Sequence, residues 1–478
     1  MHHIFVKDQM TLYDETPAFI ESNNLIFGGG LLGTRGEPHR RQRKVLNPVF
    51  SIANMRDMLP IFYQIGHKLQ HTLAEKVKSG PTEIDMLTWM SRTALELIGQ
   101  AGLGHSFDNL EDEEHAHPYI KTIKQLAPFF ARAFFIRSYI VPHLAHIGTP
   151  RLRLWASQLL PYVWKDFARA KNFSEYMWKV SKEIFEDKKA GRCTGPEELA
   201  GKDIISRLIN ENEKVPEEDR LTEDELIGQV ITLMFLRLSV IDPCSVRLQV
   251  STLTFAAMDT TSTALARMLT LLASHPDVQK KLREEVQSVF GNGDISYDQL
   301  ISLPYLDAIS RETLRMYPPV HRLMRRTLQD VSLPLSTPVT CTDGTVVNDI
   351  FLPRNTDIFV SVHNSNRNKA YWGNDADEWK PERWLSPLPD TLLDAKIPGI
   401  YSHLMTFNAG GRSCIGFKFS QLEMKVVLAL LIQTFEFAHS EKEIAWRATG
   451  VSSPVVIGPE GKGRPEMPML VNLVKKDL

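Results

Sequence analysis

From about residue 10 to about residue 300, apolar side chains recur every three to four positions, the period of helices that bury one face. The stretch PTEIDMLTWMSRTALELIGQAGLG, residues 81–104, keeps that spacing until glycines interrupt it, so a helix with a glycine stop is predicted there. DVQKKLREEVQSVF, residues 277–290, is a second amphipathic helix, and the GNGD after it supplies the expected terminating glycine. Period-two patterns appear only late. TPVTCTDGTVVNDI places β-branched residues on both sides of Asp343-Gly344 and predicts a hairpin, and DIFVSVH, residues 357–363, predicts a further strand. KVPEEDRLTEDE, residues 214–225, is a charged surface loop leading into a helix. No repeat and no long linker divides the chain. The pattern describes one large domain, mainly α with a small β region (α+β).

Composition adds exclusions. The 478 residues are 43% hydrophobic with a formal charge of −2, enough for a large core and without the basic excess of a nucleic-acid binder. Four cysteines, Cys193, Cys244, Cys341 and Cys414, are too few for a disulfide framework in a chain this long and fit a reducing compartment. The first residues, MHHIFVKDQM, lack the basic and apolar regions of a secretory signal, and no uninterrupted apolar run of about 20 residues occurs.

Candidate chemistry concentrates in FNAGGRSCIGFKFSQLEMK, residues 407–425. Gly410 and Gly411 permit a tight loop ahead of Cys414, and the apolar spacing from Ile415 to Val426 predicts a helix whose first turn begins at the cysteine. A helix N-terminus favours a thiolate. Gly416 leaves room for a flat group, and Arg412 offers a cation suited to a carboxylate. A lone cysteine is ordinarily a small buried hydrophobe. Here Phe407, Gly410, Arg412, Cys414 and Gly416 fall at spacings that chance produces on the order of 10⁻⁴ times per chain. The residues describe a thiolate beneath a planar, acid-bearing cofactor.

That string resembles the haem-binding signature of the cytochrome P-450 superfamily, and three further stretches match in the expected order. The resemblance implies the cytochrome P-450 fold around a buried haem b, with Cys414 as axial ligand of the iron and Phe407 and Arg412 flanking it. A thiolate there favours O–O cleavage. In SRETLRMYPPVHRLMRR, Glu312 and Arg315 share a helix face, and DEWKPERW supplies Arg383. The family buries such a triad beneath the haem, a structural role. In GEPHRRQRKVLNPVFS, His39 and Arg43 stand four apart, with His39 where the family usually has tryptophan; both, and Arg325, match positions that hold haem propionates. FAAMDTTSTALARML resembles the long helix that crosses the haem. Thr260 is placed to bond back to Ala256, and Asp259 with Thr260 matches the acid–alcohol pair that delivers protons to oxygen. Ala257 stands where glycine is more common.

The implied activity is that of a monooxygenase, placing one atom of O2 in a lipophilic substrate with electrons from NADPH through a flavoprotein reductase. The loop before His39, residues 255–258 and 320–324, and GVSSPVVIG are the expected substrate-facing stretches. Two other readings stay open: a family member that rearranges peroxides, against which Asp259-Thr260 argues, and a non-catalytic haem-binding product. Arg40, Arg41, Lys44, Lys418 and Lys425 are the cations expected to face the reductase. The wording of these stretches is similar to fungal members, often of secondary metabolism. By the same resemblance the full-length product is anchored in the endoplasmic reticulum membrane, and residues 1–478 lack the anchor and first strands, leaving a sheet edge unpaired. Residues 230–249 interrupt a helical pattern that is continuous without them. Pro243 breaks any helix through them, and the pair Gln-Val opens and closes the segment, so a translated intron or a loop insertion is expected there.

Overall fold

The computed structural model describes residues 1–27, 30–111, 201–216 and 249–474 apart from 292, 460 and 462, with scattered positions between 117 and 190 and at 220–221. The segment 230–249, except Gln249, lies outside the described residues, as does the charged loop beyond Leu221.

The helices that frame the site are α1 (Pro17–Phe27), α2 (Gly36–Leu46), α3 (Ile52–Lys76), α4 (Met86–Leu97), α5 (Gln249–Ser274), α6 (Pro276–Phe290), α7 (Pro304–Met316) and α8 (Phe417–Thr434). The strands are short. β1 (Tyr13–Asp14), β3 (Arg322–Thr327) and β6 (Asp357–Ser361) form one antiparallel sheet with β3 central. β2 (Thr82–Asp85), β9 (Phe435–His439) and β12 (Pro468–Leu473) form a second, with β12 central. β4 (Val331–Thr340) with β5 (Val346–Leu352), β7 (Gly399–Tyr401) with β8 (Leu404–Ala409), and β10 (Ile444–Thr449) with β11 (Val451–Val456) are separate pairs. The expected hairpin thus turns at Cys341–Thr345, where Gly344 takes φ +86°, and the expected strand at DIFVS is β6.

Two readings of the pattern need correction. The predicted helix over 81–104 starts only at Met86, because Thr82–Asp85 pairs with β12. A four-residue strand is too short for its alternation to stand out from the helical spacing beside it. The same helix ends in a π-helical turn, Ile98–Leu103, closed by left-handed Gly104. The helix expected to begin at Cys414 instead begins at Phe417, with Gly416 at its cap.

α8 is the hub. Every residue from Leu422 to Ile432 is buried, and the helix packs on α3, α6, α5 and α7. Its approach to α3 is close: a Cβ at Gly66 would lie 2.5 Å from the Leu430 side chain. Within this apolar sleeve sits Glu423, fully buried, with neither carboxyl oxygen bonded to a protein group. Burial alone pushes its acid well above the usual carboxylate range. A carboxyl whose folded pKa is raised binds its proton more tightly in the folded state. Stability is therefore fullest below the unfolded value near 4.5 and falls as pH rises toward the folded value. Replacing Glu423 by methionine should raise stability at pH 8 by about 1–3 kcal/mol and flatten this decline. Thermal unfolding of both proteins from pH 5 to 8 measures it.

Candidate active site

The backbone shapes the turn that carries Cys414. Asn408 and Gly410 both take left-handed φ, +62° and +61°. At Gly410 a Cβ would stand 1.9 Å from Phe5 O, so no other residue fits. The Cys414 N–H then donates to Phe407 O at 2.9 Å, and the Gly416 N–H donates to the Cys414 sulfur. Burial pushes the thiol pKa up, while the Gly416 N–H and the Arg43 cation pull it down. Cys414 has accessible surface yet lies deep in the protein mass, so its sulfur opens on a recess. No atom lies within 4 Å of where a side chain at Gly416 would begin. Phe407 is half-buried, edge-on to Tyr401 with centroids 5.5 Å apart.

From the thiol a line of donors leads outward. Arg43, on α2, donates Nη1 to Ser413 O at 2.7 Å. One turn earlier His39 is buried, and its Nδ1 has no protein partner. Burial, with Arg412 and Arg43 nearby, pushes its pKa down to about 3, so the ring is neutral. Arg412 gives Nη2 to Thr34 O at 2.6 Å and Nη1 to Leu31 O at 3.3 Å, leaving a buried Nε unmatched. Arg325, on β3, is 1% exposed; Nη1 meets Met324 O at 2.7 Å and Glu15 Oε1 at 2.8 Å, while Nε and Nη2 are buried without partners. Buried donors rarely stay unmatched. Here four idle donor atoms, on His39, Arg412 and Arg325, belong to three neighbouring side chains. The group they fit is an anionic, flat one: two carboxylates at one end and a metal within reach of a thiolate at the other. The residues present fit a haem.

The acid, arginine and second arginine named from sequence do meet. Arg315 grips Glu312 through Nε and Nη2, both at 2.8 Å, with both side chains fully buried. Arg383 Nε approaches Glu312 at 3.5 Å, and Trp384 Nε1 donates to it at 2.9 Å. The other face of Arg383 holds Asp375 at 2.9 Å, and that hydrogen bond first of all lowers the Asp375 pKa to about 2.

On α5 the Thr260 hydroxyl donates to Ala256 O at 2.8 Å, the back-bond expected from sequence. Asp259 points elsewhere. It is buried and paired at 2.7 Å with Lys124, which also donates to Ser262 Oγ. Nothing in the sequence marks Lys124; it lies over a hundred positions upstream in a stretch without motif. Lys425, counted among the outward-facing cations, is a correction. It is 1% exposed and bonded to Ile301 O and Asp307, because its stem lies on the buried face of α8. Arg40 and Lys44 are exposed on α2, with Arg41 and Lys418 partly so.

A cysteine turn opening on a recess, with idle cationic donors around it, defines a haem-thiolate protein. The chain belongs to the cytochrome P450 family and is a monooxygenase, whose chemistry takes a haem-thiolate cofactor, O2, a substrate and a redox partner. The cytochrome P450 family model matches residues 1–235 and 241–454. Cytochrome P450 monooxygenase 91 of Postia placenta is 49% identical over 480 residues, covering 99% of this chain and 83% of its own length. Ganoderic acid synthetase of Ganoderma lucidum is 42% identical over 477 residues, covering 98% and 82%. A crystal structure of a cytochrome P450 (CYP102L1) superposes with TM-score 0.68 over 97% of this chain and 85% of its own at 20% identity, which speaks for the fold alone.

Substitution at the buried triad should act on stability. Glu312→Gln keeps the shape but leaves the buried Arg315 guanidinium without its counter-charge, while Arg383 keeps Asp375. The expected loss is about 3–5 kcal/mol, read from urea or thermal unfolding.

Proposed function

We propose that this monooxygenase oxidises a lipophilic small molecule of fungal secondary metabolism, with haem b held by Cys414, His39, Arg43, Arg325 and Arg412. The observation that carries the reading is the run of unmatched buried donors beginning beside the cysteine turn. Bound haem would supply the activation of O2 and the transfer of one oxygen atom to substrate. The protein's part is positional. Gly416 N–H steadies the sulfur, Arg43 locks the Ser413 carbonyl, and neutral His39 offers a donor without adding charge. Glu312, Arg315 and Arg383 brace the side of the fold on which the cysteine turn rests.

Thr260 spends its proton on Ala256 O, so its oxygen is left as an acceptor on an accessible part of α5, fit to hold a water in line. Asp259, held by Lys124, would act as the relay of the pair: turned away from the lysine, it takes a proton from solvent water and passes it on. Electrons come from NADPH through a flavoprotein reductase, met by Arg40, Arg41, Lys44 and Lys418. The protein works at the endoplasmic reticulum membrane, although no described helix is long and apolar enough to cross one. One relative is named for the synthesis of ganoderic acid, which supports a place in secondary metabolism.

The spectrum of the reduced, carbon-monoxide-bound protein tests the ligand. Wild type should show the red-shifted band of a thiolate, and Cys414→His should lose that band and all oxygenation. Retention of both would move the ligand elsewhere. Thr260→Ala should keep the red-shifted band while product formation drops about a hundredfold and NADPH electrons emerge as hydrogen peroxide. Parallel assays of product, NADPH and peroxide read this out; unchanged coupling removes Thr260 from proton delivery.

A further inference from the structure

Glu15 is a carboxylate where the site should have least use for one. It follows β1, is 5% exposed, and stands among the cations that face the carboxylate end of the recess. Burial pushes its pKa up, and Arg325 at 2.8 Å, with Arg412 and Arg35, works against that rise. Asp14, one residue earlier, accepts the Glu15 N–H at 2.8 Å and stands 3.8 Å from Arg412. A buried acid paired to an arginine is often no better for stability than two apolar residues. Its use here is read from which nitrogen it takes.

A guanidinium has two edges that can grip a carboxylate side-on or end-on, and five N–H donors in a fixed plane. Glu15 and Met324 O together occupy Nη1 of Arg325. The Nε–Nη2 edge, whose two N–H bonds run parallel, is buried and unmatched. The ring of Phe5 covers one face of the guanidinium, 4.7 Å from its carbon, so the plane cannot tip. Glu15 therefore does not compete for the free edge. It fixes the rotation that aims it.

We propose that Glu15 is a positioning residue for Arg325, turning the Nε–Nη2 edge of that arginine to grip a haem propionate side-on. The proposal rests on the haem reading above. It accounts for a feature that reading leaves unexplained: an additional buried acid beside two propionates, which would be repulsive unless it worked through the arginine between them. Sequence gives no hint of it, because DETP matches no motif and Glu15 is 310 positions from Arg325.

The experiment is haem loss from the loaded protein to excess apomyoglobin, followed by absorbance. Wild type must first show the reduced carbon-monoxide band; its absence would refute the haem reading itself, not the role of Glu15. Glu15→Ala should then lose haem about ten- to a hundredfold faster, and Glu15→Gln, which keeps an acceptor at the same reach, should stay within about threefold of wild type. Glu15→Asp, which keeps the charge and shortens the reach, should resemble the alanine variant. In an Arg325→Gln background Glu15→Ala should add nothing, since its effect passes through Arg325. If the alanine variant does not accumulate folded, the Gln and Asp pair carries the comparison. Haem loss as slow in Glu15→Asp and Glu15→Ala as in wild type, or an acceleration that persists without Arg325, overturns the proposal.

Discussion

The hydrogen bond from Cys414 N–H to Phe407 O is the constraint on which the rest of the site depends. It can form only because Gly410 accepts a left-handed φ with Phe5 O against its α-carbon, where any side chain would collide. Closing that turn does three things at once. It lifts the sulfur toward the recess, places Gly416 N–H beneath it, and sets the direction in which α8 leaves for the core. Since α8 is buried from Leu422 to Ile432, its direction fixes where α3, α5, α6 and α7 can pack.

The arginines around this site separate into two kinds by how their donors are used. Arg315 has each nitrogen engaged: Nε and Nη2 on Glu312, and Nη1 on the carbonyls of Asn366 and Ala376. Such a side chain has nothing left to offer a ligand and serves as a fixed joint. Arg325 is as deeply buried and Arg412 mostly so, yet each keeps idle N–H groups. Desolvating a donor without matching it costs about 1–3 kcal/mol, and the idle donors of Arg325 and Arg412 lie close to one another and to His39, where one ligand would match them together. At this site the engaged nitrogens, more than burial, tell the joint from the grip.

Sequence spacing disclosed the local parts of this arrangement and missed those made by distant strands. The Cys414 turn, the Glu312–Arg315 pair, the His39–Arg43 face and the Thr260 back-bond each lie within a few residues, where helix and turn geometry dictate contact. Strand β2 was absorbed into a helix because its partner, β12, lies nearly four hundred residues away. Lys124 and Glu15 were invisible for the same reason: each acts through a residue far along the chain, and neither belongs to a local motif. Lys425 was misread because helical spacing tells which residues share a face, not which face the core claims. The family resemblance supplied the order of the motifs, and chemistry near each motif supplied the rest.

The reach of these contacts has a consequence for synthesis. Gly411 N–H is bonded to Gln9, 402 positions earlier, and Arg43 to Ser413 across 370. At about 5–20 residues per second, the first of those partners waits roughly 20–80 s on the ribosome for the second. Throughout that time the arginines and His39 near the N-terminal end have no cysteine turn to face, and α3 has no α8 to cover it. Cofactor capture is therefore a closing event, following release of almost the whole chain. Until then a broad apolar face of the nascent protein lacks the helix that covers it.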